Sequence, residues 1–323
     1  MVKIYHKDAD AKLYDITEYV STIQWSGAKT QVARKLTITM LNTPNDKNIK
    51  NHNMKLAETL YMYSGDQSTE YFRGFIVDRE RSSQTGVLTY TAYDVAYYLT
   101  KSSATYNFKN KTAEKITKTV CKDLKVPTGS IMTTKHKQKL IVKNVKIYDI
   151  IMKAYTKAKA HTGKQYMVKA SLGKIHVVEY GAVTCEYLLD EDTNIYKSSY
   201  KESLDKMVNR VKIYDGDGKQ VGVVENKTNE KKYGIFQATY TKQKGVSAKP
   251  QAKALLTGVE KTATLEARGT HMMKALTGNG IYVKDSASGL TGLFWINADT
   301  HKWEKGVHTM TLTLEFKKAM DKK

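Results

Sequence analysis

Strict alternation over short segments is the feature that most limits what this chain can fold into. Leu36, Ile38 and Met40 alternate with Lys35, Thr37 and Thr39. A period of two places the apolar set on one face of an extended strand and the polar set on the other. Residues 2–5 alternate in the same way. Residues 11–16, 20–25, 34–41, 59–63, 70–77 and 87–93 are short runs rich in Thr, Tyr, Val and Ile, with turn residues between them. About seven strands at such spacing predict a β-sandwich or barrel over residues 1–100.

The period changes after residue 100. Thr112 is placed to cap a helix, with Glu114 in its first turn; Ile116, Val120 and Leu124 recur every four residues until Pro127. Ile147, Ile150, Ile151, Ala154, Tyr155 and Ala158 form a full apolar stripe at helical spacing, and Gly163 follows where a helix C-terminus favours glycine. Residues 165–170 and 174–180 predict a hairpin around Ser171-Leu172-Gly173. Residues 101–190 therefore predict a small α+β module.

From residue 191 the reading returns to β. Strands are expected at 210–214 and 220–225 around the turn Asp215-Gly216-Asp217-Gly218, then at 233–241. A short helix capped by Ser247 carries Pro250 in its first turn and ends at Gly258. Strands at 261–267, 280–284, 293–297 and 308–316 complete the chain. A chain of 323 residues exceeds what one growing core usually covers. The division expected is 1–100, a first β-domain; 101–190, the middle module; and 191–323, a second β-domain with a short helix. The fold class is mainly β with a small α+β module.

Charge invites a nucleic-acid reading: the formal net charge is +21. The 53 basic residues include only six arginines, which leaves 47 lysines, and base readers lean on the planar fork of Arg. The lysines read as scattered along the whole chain. No run of about 18 apolar residues is present, so no membrane span is expected. The first eight residues contain no apolar stretch, so no signal peptide is expected either, and the chain should fold in the cytoplasm of the cell that makes it.

No catalytic or metal constellation stands out. GxSxG, P-loop, HExxH and GxGxxG motifs are absent from the sequence. His301 and His308, with Asp299 nearby, are the nearest thing to a metal cluster, but they lie on an expected hairpin without helical i, i+4 geometry. Asp215-Gly216-Asp217-Gly218 lacks the later oxygen ligands of a calcium loop and reads as a hairpin turn. Cys121 and Cys185 read as reduced, partly buried thiols. No cofactor is expected, and the function class implied is structural rather than enzymatic.

Two segments echo one another. Gly74-Phe75-Ile76-Val77 is followed by a polar turn, Gly86 and the alternating run 87–93. Gly292-Leu293-Phe294-Trp295 is followed by a polar turn, Gly306 and the alternating run 307–314. Gly74 and Gly292 are the expected equivalents. Trp25 and Trp295 lie on expected strands and should pack inside their β-domains. Trp303 falls in a polar turn, where exposed Trp is costly unless used, and is the candidate partner-facing anchor.

Trp25-Ser26-Gly27, followed by Ala33-Arg34-Lys35-Leu36-Thr37-Ile38, resembles the opening of baseplate hub proteins of contractile-tail phages, prophages and R-type bacteriocins, the tail hub or late control protein D-like family of Gram-positive bacteria. Further stretches resemble that family in the same order: Thr112-Ala113-Glu114-Lys115-Ile116, Val126-Pro127-Thr128-Gly129-Ser130-Ile131 and Ile147-Tyr148-Asp149-Ile150-Ile151 in the middle, and Asn209-Arg210-Val211-Lys212-Ile213-Tyr214 with Tyr233-Gly234-Ile235-Phe236-Gln237 beyond it. Gly278-Asn279-Gly280-Ile281-Tyr282-Val283, Gly292-Leu293-Phe294-Trp295-Ile296 and His301-Lys302-Trp303, with Gly306 and His308, complete the match.

The resemblance implies two tube-protein-like β-barrel or sandwich domains around an inserted middle domain. It implies a homotrimer that presents six similar surfaces to a six-fold tail tube and three to a central spike. The implied partners are the tail tube protein, the central spike protein and other baseplate components, with no membrane and with DNA at most passing through the channel. The implied location is the baseplate of a virion or tail-like particle, assembled in the host cytoplasm. Two other readings compete: a basic nucleic-acid-binding protein, and a cell-wall-binding module or hydrolase. The second is suggested by the helix near Thr112, which faintly suggests a peptidoglycan-binding βααβ unit.

Overall fold

The alternation of residues 35–40 becomes a strand with one wet face: Leu36, Ile38 and Met40 are 0, 0 and 3% exposed. A computed structural model describes residues 2–41, 52–82, 86–243, 247–269 and 272–323. The first strands are β1 (Lys3–Lys7), β2 (Leu13–Asp15), β3 (Val20–Ala28), β4 (Gln31–Leu41), β5 (Thr59–Tyr63), β6 (Glu70–Ser82) and β7 (Val87–Asp94). They pair antiparallel in the order β3-β4-β7-β6-β5-β1-β2. Ile4, Trp25, Leu36, Ile38, Leu60 and Tyr90 belong to the core on their buried face. Part of the polar turn expected between β6 and β7, residues 83–85, lies outside the described residues.

The middle segment is α1 (Tyr97–Lys101), β8 (Ser103–Thr112), α2 (Ala113–Asp123), β9 (Thr128–Ile131), β10 (Lys137–Lys146), α3 (Ile147–Thr162), β11 (Tyr166–Ser171) and β12 (Lys174–Glu179). The expected apolar stripe of α3 is buried, and Gly163 closes the helix at φ 68°. β8 and β10 form a two-stranded antiparallel ribbon that the sequence does not announce. Its exposed positions carry mostly Lys and Asn, and the apolar side chains buried along it are Phe108, Leu140 and Val142, so the apolar signal is thin. β9, β12 and β11 make a small three-stranded sheet.

The remaining elements are β13 (Thr184–Asp190), β14 (Ile195–Ser203), β15 (Arg210–Tyr214), β16 (Gln220–Glu225), α4 (Lys227–Tyr233), β17 (Gln237–Thr241), α5 (Ala248–Ala254), β18 (Glu260–Arg268), β19 (Gly280–Asp285), β20 (Leu290–Glu304) and β21 (Val307–Glu315). The strand expected over 233–241 begins only at Gln237, because α4 occupies Lys227–Tyr233 and Gly234 ends it at φ 81°. α4 buries no residue and so has no apolar stripe. Its start signal is nevertheless present: the Asn226 side chain accepts from the Asn229 N–H.

The compact units run differently from the three expected segments. One comprises residues 1–198 and 264–323, the other residues 199–263, with the boundaries falling inside β14 and β18. In the first unit β20 pairs with β3, so strands from both ends of the chain share one 13-stranded sheet among the described residues. In the second, β16-β15-β17 form a sheet on which Val211, Ile213 and Ala252 make a small core.

The two echoing hairpins are present, but the equivalence of Gly74 and Gly292 needs correcting. Each hairpin has one register irregularity, between Ile76 and Asp78 in β6 and between Ile296 and Ala298 in β20. Aligning these bulges sets Phe75-Ile76 against Trp295-Ile296, so Gly74 corresponds to Phe294. The two glycines serve different needs. A methyl group at Gly74 would meet the Tyr93 carbonyl oxygen and the Phe72 ring at 2.4 Å, whereas Gly292 has open space and φ 127°. Gly74→Ala is expected to lower the unfolding free energy by about 1–3 kcal/mol through overpacking. A urea midpoint equal to that of the parent would refute the close-approach role.

Candidate functional site

β3 and β20 meet in a fixed register: Gly27 opposite Asp299, Trp25 opposite His301, Ile23 opposite Trp303. This seam gathers buried polar groups that lie far apart in sequence. Asp299 is 1% exposed and accepts from both guanidinium arms of Arg34. The Thr277 backbone N–H donates to it at 2.6 Å, and the Thr277 hydroxyl lies 2.6 Å from Asp299 and 3.0 Å from the Gly27 carbonyl oxygen. The guanidinium lies 4.0 Å over the Trp25 ring. A methyl group at Gly27 would fall 2.5 Å from Arg34 Nη1, so this glycine makes room for the arginine. Burial acts to raise the Asp299 pKa, but the Arg34 charge and the hydrogen bonds hold it below the usual carboxylate value.

The histidine pair extends the seam. His301 Nε2 is 3.1 Å from the Ala275 carbonyl oxygen, which can only accept, so Nε2 carries the proton. Its Nδ1 then accepts from His308 Nε2, 3.0 Å away. The His308 ring stacks on Trp303 with centroids 4.2 Å apart. Burial lowers the pKa of both imidazoles, His308 to about 4. Both His301 nitrogens are thus engaged by protein groups, and Asp299 by Arg34 and Thr277. The cluster is built to hold strands together. Cys121 and Cys185 lie elsewhere, buried, with burial pushing their thiols up to about 12 and about 11; thiols held protonated are poor nucleophiles.

Trp303 is therefore not the exposed anchor expected of it. It sits within β20 rather than in a turn, is 9% exposed and joins the core beneath β3. The hairpin turn comes two residues later. The polar residues on either side of Trp303 account for the difference: Lys302 and Glu304 are simply the outward residues of an alternating strand. Trp25 is buried as expected, at 2%. Trp295 is only half-buried, because Phe294 and Ile296 are buried in the sheet and it faces the other way, against Gly181. One end of the seam opens into a groove of about 870 Å³ whose lining includes Lys3, Asp66, Tyr71, Trp303 and Glu304.

Two of the stretches that carried the family resemblance, around Trp25–Arg34 and around His301–His308, lie on the two sides of this seam. The sequence pattern of the YQBQ-like family matches residues 23–315. The chain belongs to the YQBQ-like family. This YQBQ-like chain is 26% identical over 309 residues to phage-like element PBSX protein XkdQ of Bacillus subtilis strain 168, covering 93% of each. Its fold is that of phage tail proteins: the 43 kDa tail protein of prophage MuSo2 from Shewanella oneidensis superposes with a TM-score of 0.73 at 13% identity, over 99% of this chain and 100% of the other. The E. coli c3393 protein, a component of the type VI secretion system with structural similarity to the T4 tail proteins gp27 and gp5, superposes at 0.54 with 10% identity, over 94% of this chain and 76% of its own.

Removing one partner of the seam should be far worse than removing both. Asp299→Ala leaves the Arg34 guanidinium without its counter-charge and should cost about 3–5 kcal/mol, while Arg34→Met with Asp299→Leu should cost much less. Equal losses in urea unfolding would contradict this. The lowered His308 pKa has a directional consequence. Below about 6.5 the unfolded imidazole takes up a proton that the folded one refuses until about 4, so stability should fall as pH drops through that window. Burial raises Asp94 to about 7, which acts in the opposite sense. The measurement is therefore a comparison: His308→Gln should lose less stability than the parent between these pH values, and parallel curves would exclude the effect.

Proposed function

We propose that this protein is a structural, non-enzymatic hub of a contractile-tail baseplate, joining a six-fold tail tube to a three-fold central spike as a pseudo-six-fold trimer. The observation that carries the reading is a tail-protein fold extending over essentially the whole chain, together with family membership and similarity to a protein of a phage-like element. The likeness to a secretion-system component described as similar to the T4 tail proteins gp27 and gp5 is in keeping with a tail-assembly role.

Symmetry gives the reading its physical sense. A closed trimer whose subunits each present two similar β-surfaces offers six like surfaces on one side and three identical units on the other. The hairpins β6–β7 and β20–β21, each with one register irregularity in its first strand, are the trace of two tube-like domains in this account. The tail tube protein, the central spike protein and other baseplate components are then the partners, and the particle's baseplate is its location. The test is electron cryomicroscopy with quantitative mass spectrometry of purified particles. Three copies per particle, on the tail axis between tube and spike, are expected. A copy number that is not a multiple of three, or density away from the axis, would sink the proposal.

A further inference from the structure

The lysines are less evenly spread than a reading of the whole chain suggests. Residues 97–180 contain 18 lysines and no arginine against four acidic residues, a net charge of +14 out of +21. Within that segment β8 and β10 together hold six lysines and no acidic residue. Register shows which of them share a face. Phe108 pairs with Leu140, and these two are buried; Asn107 pairs with Ile141, and these two are exposed. An unbroken register runs over Leu140–Val142 against Tyr106–Phe108, with a shift on either side, and the exposed residues flanking Asn107 and Ile141 are Thr105 and Lys109 of β8 and Lys139 and Lys143 of β10. Among the described residues neither strand pairs with a third.

Each acid of the segment has a partner other than the outward lysines of the ribbon. Glu114 accepts from Thr134 and Asp123 from the Tyr106 hydroxyl; Asp149 pairs with Lys323, and Glu179 with Lys164 and Lys318.

We propose that this outward face of the β8–β10 ribbon is a sequence-indifferent binding surface for duplex DNA. A two-stranded ribbon is of a size that the major groove of B-DNA admits. Lysines held as point charges neutralise phosphates, and the absence of arginine from the whole segment removes the usual bidentate contact to guanine, so affinity without base reading is the expected mode. An acidic protein is the competing occupant and fits less well. The cores of protein–protein interfaces are depleted in Lys and enriched in aromatic, Met and Arg side chains, whereas this face offers a single apolar residue, Ile141. The proposal does not depend on the hub reading.

The test uses the full chain and a short fluorescein-labelled duplex of random sequence, with binding followed by anisotropy across a salt series. The variants are Lys109→Gln, Lys139→Gln and Lys143→Gln combined, against a control combining Lys219→Gln, Lys249→Gln and Lys253→Gln, which removes three exposed charges from residues 199–263. The ribbon triple should reduce the log–log salt slope by about 2.7 and weaken low-salt affinity about tenfold or more, and the control should change neither appreciably. Should the ribbon triple melt early, Lys139→Gln alone, with an expected slope change of about 0.9, takes its place. The inference is overturned if the parent does not bind at low salt, if the control loses as much as the ribbon variant, or if poly-aspartate at equal charge displaces the duplex as well as unlabelled DNA does.

Discussion

A carboxylate buried to 1% exposure is the constraint around which the first compact unit is organised. Asp299 cannot sit in a sheet interior unless its charge is matched and its oxygens are bonded. Arg34 supplies the charge, Thr277 the further donor, and the demand propagates outward: Trp25 offers its face to the guanidinium and Gly27 gives up a side chain to let it pass. Such a pair contributes little net stability compared with a well-packed apolar substitute. What it does contribute is register. A one-residue slip of β20 against β3 would turn Asp299 to the opposite face and strand Arg34, so only one pairing satisfies both.

That arrangement explains what can and cannot be read from sequence. Strands such as β4 and β7 are legible because one face is wet and the other dry, so the period of two survives in the residue types. The helix α3 is legible for the analogous reason at period 3.6. The ribbon β8–β10, the helix α4 and the strand β14 are not, since each exposes most of its residues and leaves a weak apolar signal. Trp303 is easily misplaced because Lys302, Glu304 and Lys305 around it look like a turn, although the strand continues through Glu304. The seam is only half visible: Asp299, His301 and His308 are neighbours in sequence, but Arg34, which makes a buried aspartate tolerable, is 265 residues away. A single sequence carries no mark of that pairing beyond the rarity of Arg in a lysine-rich chain.

Two kinds of charge are present in this chain. Arg34 and Asp299 are desolvated, and their interaction resists salt. The lysines of residues 97–180 are mostly solvated, paired with few acids and responsive to ionic strength. Net charge summed over the chain merges the two and conceals both: the first is a matter of fold, the second of surface and encounter.

The seam also sets an order on folding. β3 takes β4 on one side from its immediate neighbour in sequence, but its other edge stays open until β20 exists, and residues 199–263 must be made in between. Closing so long a loop costs entropy that grows only slowly with length, so the delay is mainly kinetic. During it the Arg34 side of the seam has no aspartate, and a strand edge that ends up inside a 13-stranded sheet is available to other chains. A polar, charge-matched seam suits that interval better than an apolar one would. With the Arg34 guanidinium reaching from β4 across Gly27 toward it, that edge stays hydrated and is a poor template for a foreign strand, and it becomes dry only when the strand carrying Asp299 arrives.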